Sequence, residues 1–372
     1  MDFEFTDDQL ELRDAARSVL DSACPPALVR AVYEDKDDGG RDELWSTLVG
    51  LDWQALGVAE SDGGLGLGFL EVGILAEEMG RVVAPTPYLA TATQLTPMLR
   101  EAGASGFLAE VAAGRITGTL ALAEGGRWTT DAVRCTAERS GDGWRLDGRK
   151  SHVLDGATAD ELAVVARGED GLGVFLVPGS KAAALALDVI DPTMPLATIT
   201  LDGVEVDGDR VLLEPGDARA EVAITRVLEE ATTALSLSTV ATCRSIFETT
   251  LQYAKDRHQF GRPIGSFQAL KHRLADCYLA VERAASLAYF AALTIAEDDD
   301  RRAIATSMAK AAAGDCQELL TNDGLQLHGG VGFTWEHDLH FGLKRAASGE
   351  LLFGTSIFHR ARLARLLGLE AA

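Results

Sequence analysis

Aromatic residues make up only 6% of this 372-residue chain, with 10 prolines and 5 cysteines. Cys24, Cys135, Cys243, Cys277 and Cys316 are scattered and form no C-x-x-C pair. That spacing argues against a zinc site or a disulfide framework and leaves them as reduced core residues. Positive charge is scarce too: 34 Lys and Arg face 57 Asp and Glu, a net charge of −23. Such a balance opposes phosphate backbones and anionic lipid, so neither nucleic acid nor membrane is expected as a general partner. Any anionic ligand has to be held by a local basic cluster. No eighteen consecutive apolar residues occur, and residues 1–8 lack the basic and apolar regions of a signal peptide. A cytoplasmic location is expected. A Gly-x-Ser-x-Gly elbow is also missing, which removes support for a serine hydrolase.

What is present describes a globular chain, 47% hydrophobic with a mean hydropathy of +0.06 and longer than one ordinary core. Thr6 and Gln9 have the spacing of a capping box, and Leu10, Leu12, Ala16, Val19 and Leu20 form a helical face. The glycine-rich residues 62–68 read as a turn between helices, because no strand-and-crossover unit surrounds them. From residue 116 the period becomes two: Val133, Cys135 and Ala137 alternate before the turn at 140–143, then Trp144 and Leu146 follow. Strand-like runs at 162–166, 173–177 and 199–206 complete a small antiparallel β domain. Helical periodicity returns over 218–256, 266–296 and 301–327, with a last helix from about Ser356. Asp298-Asp299-Asp300 reads as a solvated turn. The predicted organisation is helical (1–115), β (116–214) and helical (215–372).

One stretch carries chemistry on local grounds. Arg257-His258-Gln259-Phe260-Gly261-Arg262-Pro263 joins a planar guanidinium fork to a glycine turn and a proline suited to a helix start, where free N–H groups favour an anion. Phe267, Leu270, Leu274, Cys277 and Val281 then recur at steps of three and four, predicting a buried helix face. An Arg that merely caps a loop fits the same local pattern. His328, Glu336, His337 and His340 straddle a glycine turn, and their spacing does not point to a metal.

The segments RHQFGRPIGSFQALKHRLAD and QLHGGVGFTWEHDLH resemble, in order and separation, the two C-terminal signatures of the acyl-CoA dehydrogenase family, and the resemblance covers nearly the whole chain. It implies an α+β fold with an N-terminal α-helical domain, a middle antiparallel β domain and a C-terminal four-helix bundle that assembles into a tetramer. It implies an FAD-dependent oxidoreductase that converts an acyl-CoA to a 2-enoyl-CoA, passing electrons to an electron-transfer flavoprotein. By the same resemblance, Arg257, Phe260, Gln268, Gln326 and Gly330 contact the pyrophosphate and adenosine of an FAD whose ring lies in the neighbouring subunit.

The chain departs from the family where the chemistry occurs. A Thr-Glu-Pro segment at the flavin ring is here Ala123-Glu124-Gly125, and Lys-x-Trp-Ile-Thr-Asn is Lys150-Ser151-His152-Val153-Leu154-Asp155. His152 reads as a hydrogen-bonded structural histidine or, less readily, a new acid or base. The commoner position of the catalytic Glu holds Phe353. The alternative position, thirty residues before Gly261, holds Ala231, and Thr232 replaces the Arg that follows it. Losing a general base costs about 10²- to 10⁴-fold in rate. Glu230 adjoins Ala231, but successive helical residues point about 100° apart, and Glu350 is a weaker candidate still. Keeping what serves a neighbour's flavin while losing what serves its own resembles the base-less subunit of actinobacterial α2β2 acyl-CoA dehydrogenases. A second subunit would then carry the catalytic Glu, in steroid side-chain or lipid degradation. The competing expectations are a self-sufficient homotetramer using Glu230 and a flavin-free binding or scaffold protein.

Overall fold

The computed structural model describes residues 4–34 and 40–369. Contacts divide the chain into two compact units, one built from residues 1–41, 73–85 and 232–372, the other from 42–72 and 86–231. The helices are α1 (Asp7–Ala23), α2 (Pro26–Tyr33), α3 (Arg41–Val49), α4 (Phe69–Arg81), α5 (Tyr88–Ala90), α6 (Thr96–Ala102), α7 (Ser105–Ala112), α8 (Ala220–Asp256), α9 (Gln268–Ala296), α10 (Arg302–His328), α11 (Leu339–Leu351) and α12 (Ser356–Leu366). The strands are β1 (Gly118–Ala121), β2 (Thr136–Ser140), β3 (Gly143–Leu154), β4 (Glu161–Gly168), β5 (Gly171–Pro178), β6 (Ala183–Ala186), β7 (Leu196–Val206) and β8 (Val211–Leu213). A two-stranded ribbon pairs β9 (His258–Gln259) with β10 (Arg262–Pro263).

The sheet runs β6-β7-β3-β2-β4-β5-β8, with β1 added beside β4. It is mixed, which corrects the antiparallel expectation: β1 pairs with β4 in parallel, as does β2 at a single position. The β2–β3 hairpin occupies the chain between β1 and β4, giving the long connection that a parallel pair needs. Its turn lies at Gly141, with φ of 62°. β4 and β5 are covered on both faces, which is why their sequences are continuous apolar runs. Ala163 and Val165 of β4 pack with Leu95, Leu120, Leu176 and Ile224, while Leu162 and Val164 pack with Leu146, Phe175 and Ile199 on the other face.

In the other unit the Thr6 capping box forms, with reciprocal bonds of 3.1 and 3.3 Å to Gln9. Helices α8 to α11 share a core that includes Val240, Phe247, Leu274, Val281, Leu320 and Ala346, and α12 packs on α10. α11 escaped the sequence reading because its run is broken by polar and glycine residues. Gly80 lets α4 lie directly on α8: a Cβ there would fall 2.2 Å from the Ser238 carbonyl oxygen. α9 is long and apolar enough to cross a membrane by composition, but its buried face belongs to this bundle core. All five cysteines are buried thiols. The three aspartates occupy the α9–α10 turn, where Arg301 binds Asp299 and Arg302 binds Asp298.

Candidate functional site

α8 ends at Asp256, and the Arg257 amide donates to Tyr253 O at 2.8 Å, completing the last turn. The chain then folds back through β9 and β10. Phe260 and Gly261, at φ of 55° and 78°, form the two-residue turn. Both central residues have positive φ, as a type I′ hairpin requires, and a phenylalanine is an uncommon occupant of that conformation. Pro263 therefore lies in β10 and not in the first turn of a helix. α9 begins only at Gln268, after a 3₁₀ turn at Ile264–Ser266. The basic motif is a protruding hairpin, because the Ile264 amide bonds Arg257 O at 2.8 Å and closes its base.

The five residues matched to the nucleotide end of the cofactor all face outward. Phe260 is 90% exposed, and Arg257, Gln268, Gln326 and Gly330 are exposed as well. Among the described residues the side chains of Arg257, Gln268 and Gln326 make no hydrogen bond or ion pair. A Cβ on Gly330 would meet nothing of this chain within 4 Å. Internal crowding thus gives no reason for its glycine, whereas close approach by a bound group would. Uncommitted guanidinium and amide donors with an open phenyl ring suit a ligand that is both anionic and aromatic.

The ends of α8 and α10 meet through rings. Tyr253 stacks on His328 at 4.5 Å between centroids and 23° between planes, and its hydroxyl lies 3.5 Å from His328 O. His328 Nδ1 is 2.8 Å from Gly324 O, and since a carbonyl only accepts, Nδ1 carries the proton. Its Nε2 is buried without a partner. Burial holds this imidazole below its usual pKa, despite the Gly324 bond. His337 packs edge-on against it at 4.9 Å. Among the described residues no group of three potential metal ligands converges.

The two base positions hold buried apolar side chains, Ala231 on α8 and Phe353 after α11, the latter 4% exposed at φ of 57°. α8 is unbroken α-helix, so nothing shifts Glu230 into Ala231's place. The Glu230 carboxylate is buried and bound by Arg100. Glu350 is engaged as well: one oxygen accepts from the Ser356 amide at 2.7 Å, and the other lies 3.7 Å from Lys310 Nζ. Lys310 donates to Gly349 O and Glu350 O, each at 2.8 Å, and burial brings its pKa down to about 8. His359 Nε2 donates to Phe353 O at 3.0 Å, and burial takes this imidazole down to about 3. Two buried basic groups thus pin the turn around Phe353.

The two altered ring-side segments come together within the sheet unit. Lys150, fully buried, places Nζ 2.6 Å from Glu124 Oε1. Burial raises the Glu124 pKa, but Lys150 and the amides of Cys135 and Arg134 outweigh it and leave the carboxyl below its usual range. Spacing alone did not reveal this pair. His152 does not act as a hydrogen-bonded structural histidine: at φ of 54° it sits in a break of the β3–β7 register, exposed and with no described partner. Leu154 is buried in the core. A cleft of about 410 Å³ runs past Glu124, Arg134, Arg149, Ser151 and Thr198. A groove of about 580 Å³ in the helical unit, past Asp21, Arg81, Thr242 and Phe341, includes none of the predicted site residues.

Residues 6–111 match the acyl-CoA dehydrogenase N-terminal domain, and residues 220–368 match the acyl-CoA dehydrogenase C-terminal domain. The chain is 30% identical over 348 residues to the acyl-CoA dehydrogenase IpdE2 of Mycobacterium tuberculosis, with 92% of each protein covered. It belongs to the acyl-CoA dehydrogenase family, whose members are FAD-dependent oxidoreductases acting on CH–CH groups. Among solved structures it is similar to the ChsE4–ChsE5 complex from Mycobacterium tuberculosis, with a TM-score of 0.90 and 28% identity over the whole of both chains. It is also similar to a Tcur3481–Tcur3483 steroid ACAD variant, with a TM-score of 0.86 and 30% identity over 97% of this chain and 98% of that one.

Proposed function

We propose that this chain is the base-less subunit of a heteromeric acyl-CoA dehydrogenase and completes the FAD site of a catalytic partner. One observation carries the reading: both base positions are filled by buried, non-ionisable side chains, Phe353 and Ala231, while the donors of the Arg257 hairpin and of Gln326 stay uncommitted. A phenyl ring or a methyl group cannot take a proton, and the nearby carboxylates Glu230 and Glu350 are already engaged.

In this reading Arg257, Phe260, Gln268, Gln326 and Gly330 hold the pyrophosphate and adenosine of an FAD shared with the partner. When bound, FAD supplies a hydride acceptor for the β-carbon of the acyl thioester. The partner's glutamate takes the α-proton, and this chain's contribution is to bind and orient. The ring-side segments fit a flavin less well, since Ala123 and Leu154 offer no side-chain donor and Glu124 is committed to Lys150. Likeness to a Tcur3481–Tcur3483 steroid ACAD supports a steroid side-chain or other lipid acyl-CoA as substrate, and likeness to a solved structure titled for an electron transferring flavoprotein of Acidaminococcus fermentans supports such a protein as electron acceptor.

The test is FAD content per chain and native mass, for the protein alone and after co-expression with a second dehydrogenase chain that carries a glutamate at one base position. One FAD per unlike pair, gained only on co-expression, is the expected result. A yellow homotetramer that oxidises acyl-CoA by itself would overturn the proposal and return Glu230 to candidacy as the base.

A further inference from the structure

The two motifs assigned to the cofactor lie far apart in sequence, and the residues that would touch it are exposed. Gly261 and Gly330 have open space where a side chain would be, and Phe260 is exposed, with only an edge-on approach to the Phe267 ring at 6.1 Å. A ligand that bridges two such segments has to order both, which weakens binding unless they are held in advance. The ring stack joins their roots. Tyr253 stands one helical turn before Arg257 and accepts its amide bond, while His328 lies between Gln326 and Gly330 at the end of α10.

We infer that the stacked rings of Tyr253 and His328 are a positioning device that keeps the Arg257 hairpin and the Gly330 turn in register for one shared ligand, an inference that rests on the shared-FAD reading. The choice of histidine supports it. If the position served only packing, an apolar ring would avoid leaving Nε2 buried without a partner. What the imidazole adds is the Nδ1 bond to Gly324 O, which fixes the plane of the ring against Tyr253. Beyond the turn, Arg30 of α2 donates to Trp335 O at 2.9 Å and binds Asp338, with its guanidinium 5.1 Å from the centre of the Phe341 ring. The Gly330 turn is therefore held on both sides, by the stack before it and by Arg30 after it.

The experiment combines amide hydrogen exchange on the whole chain with FAD titration of the co-expressed complex. Tyr253→Leu is expected to speed exchange in both 257–262 and 329–333 and to weaken FAD by about tenfold, because local opening is read directly by exchange. Tyr253→Phe keeps the ring and should leave both readouts within about twofold of wild type. His328→Gln removes the other ring and should give the same double rise, so it carries the test if Tyr253→Leu does not fold. A rise confined to the segment next to each substitution, or an unchanged FAD affinity despite faster exchange, would overturn the inference. Failure of the reading beneath it looks different: the wild-type complex itself would take up no FAD, and the assignment of the stack to a cofactor would fall with it.

Discussion

The surroundings of the Arg257 hairpin and those of the base positions differ in what their polar groups are doing. Around the hairpin, Arg257, Gln268 and Gln326 are exposed with their donors unused. Around the base positions Glu230 answers Arg100, Glu350 answers the Ser356 amide and Lys310, and His359 answers Phe353 O. Unused donors at a surface cost nothing while water solvates them, and they can be traded for a ligand's charge. The Glu230 and Glu350 carboxylates each already lend an oxygen to a group of the protein, so taking a proton there would disturb a bond that the fold uses. The hairpin's donors are open to a ligand, whereas the carboxylates nearest in sequence to Ala231 and to Phe353 are each held by neighbouring groups of the chain.

The largest effect that would sharpen this contrast is expected inside the sheet unit, where Lys150 has no access to solvent. Lys150→Met leaves the Glu124 carboxylate without its cation and should lower stability by about 3–5 kcal/mol. Adding Glu124→Gln should recover part of that loss, as measured by urea unfolding. Next comes Arg257→Ala in the co-expressed complex, expected to weaken FAD about 10- to 100-fold by loss of charge-assisted bonds. Being exposed and unpaired, Arg257 should change the stability of the chain by no more than about 0.5 kcal/mol. An unchanged FAD affinity in this variant would break the comparison from the binding side. The smallest effect is assigned to Glu230→Gln. With Arg100 half-exposed, the ion pair should be worth about 1 kcal/mol or less, and turnover of the complex should stay within about twofold. A loss of about 10²-fold or more would identify Glu230 as the base and erase the distinction.

Much of the fold could be read from periodicity. The Thr6 cap, the β2–β3 hairpin and the long helices near residues 220–256, 268–296 and 302–328 lie close to where alternation and three-four spacing put them. The misreadings have physical causes. Pro263 fits both a helix start and a ribbon, and the positive φ of Phe260 and Gly261 selects the ribbon. The parallel pairing of β1 with β4 is non-local and leaves no trace in the period of either strand. α11 lacks the sustained apolar stripe by which a helix is recognised.

The sequence by itself determined the family and the residue at each base position, because motif order and residue type are one-dimensional facts. It also settled that Phe353 and Ala231 carry no ionisable group. Only the tertiary structure decided which groups remain available. Arg100 reaches Glu230 across 130 residues of chain, and Tyr253 meets His328 across 75. Neither pairing follows from spacing. Each depends on which helix faces pack together, and packing is set by the summed burial of many side chains and not by the two residues that meet.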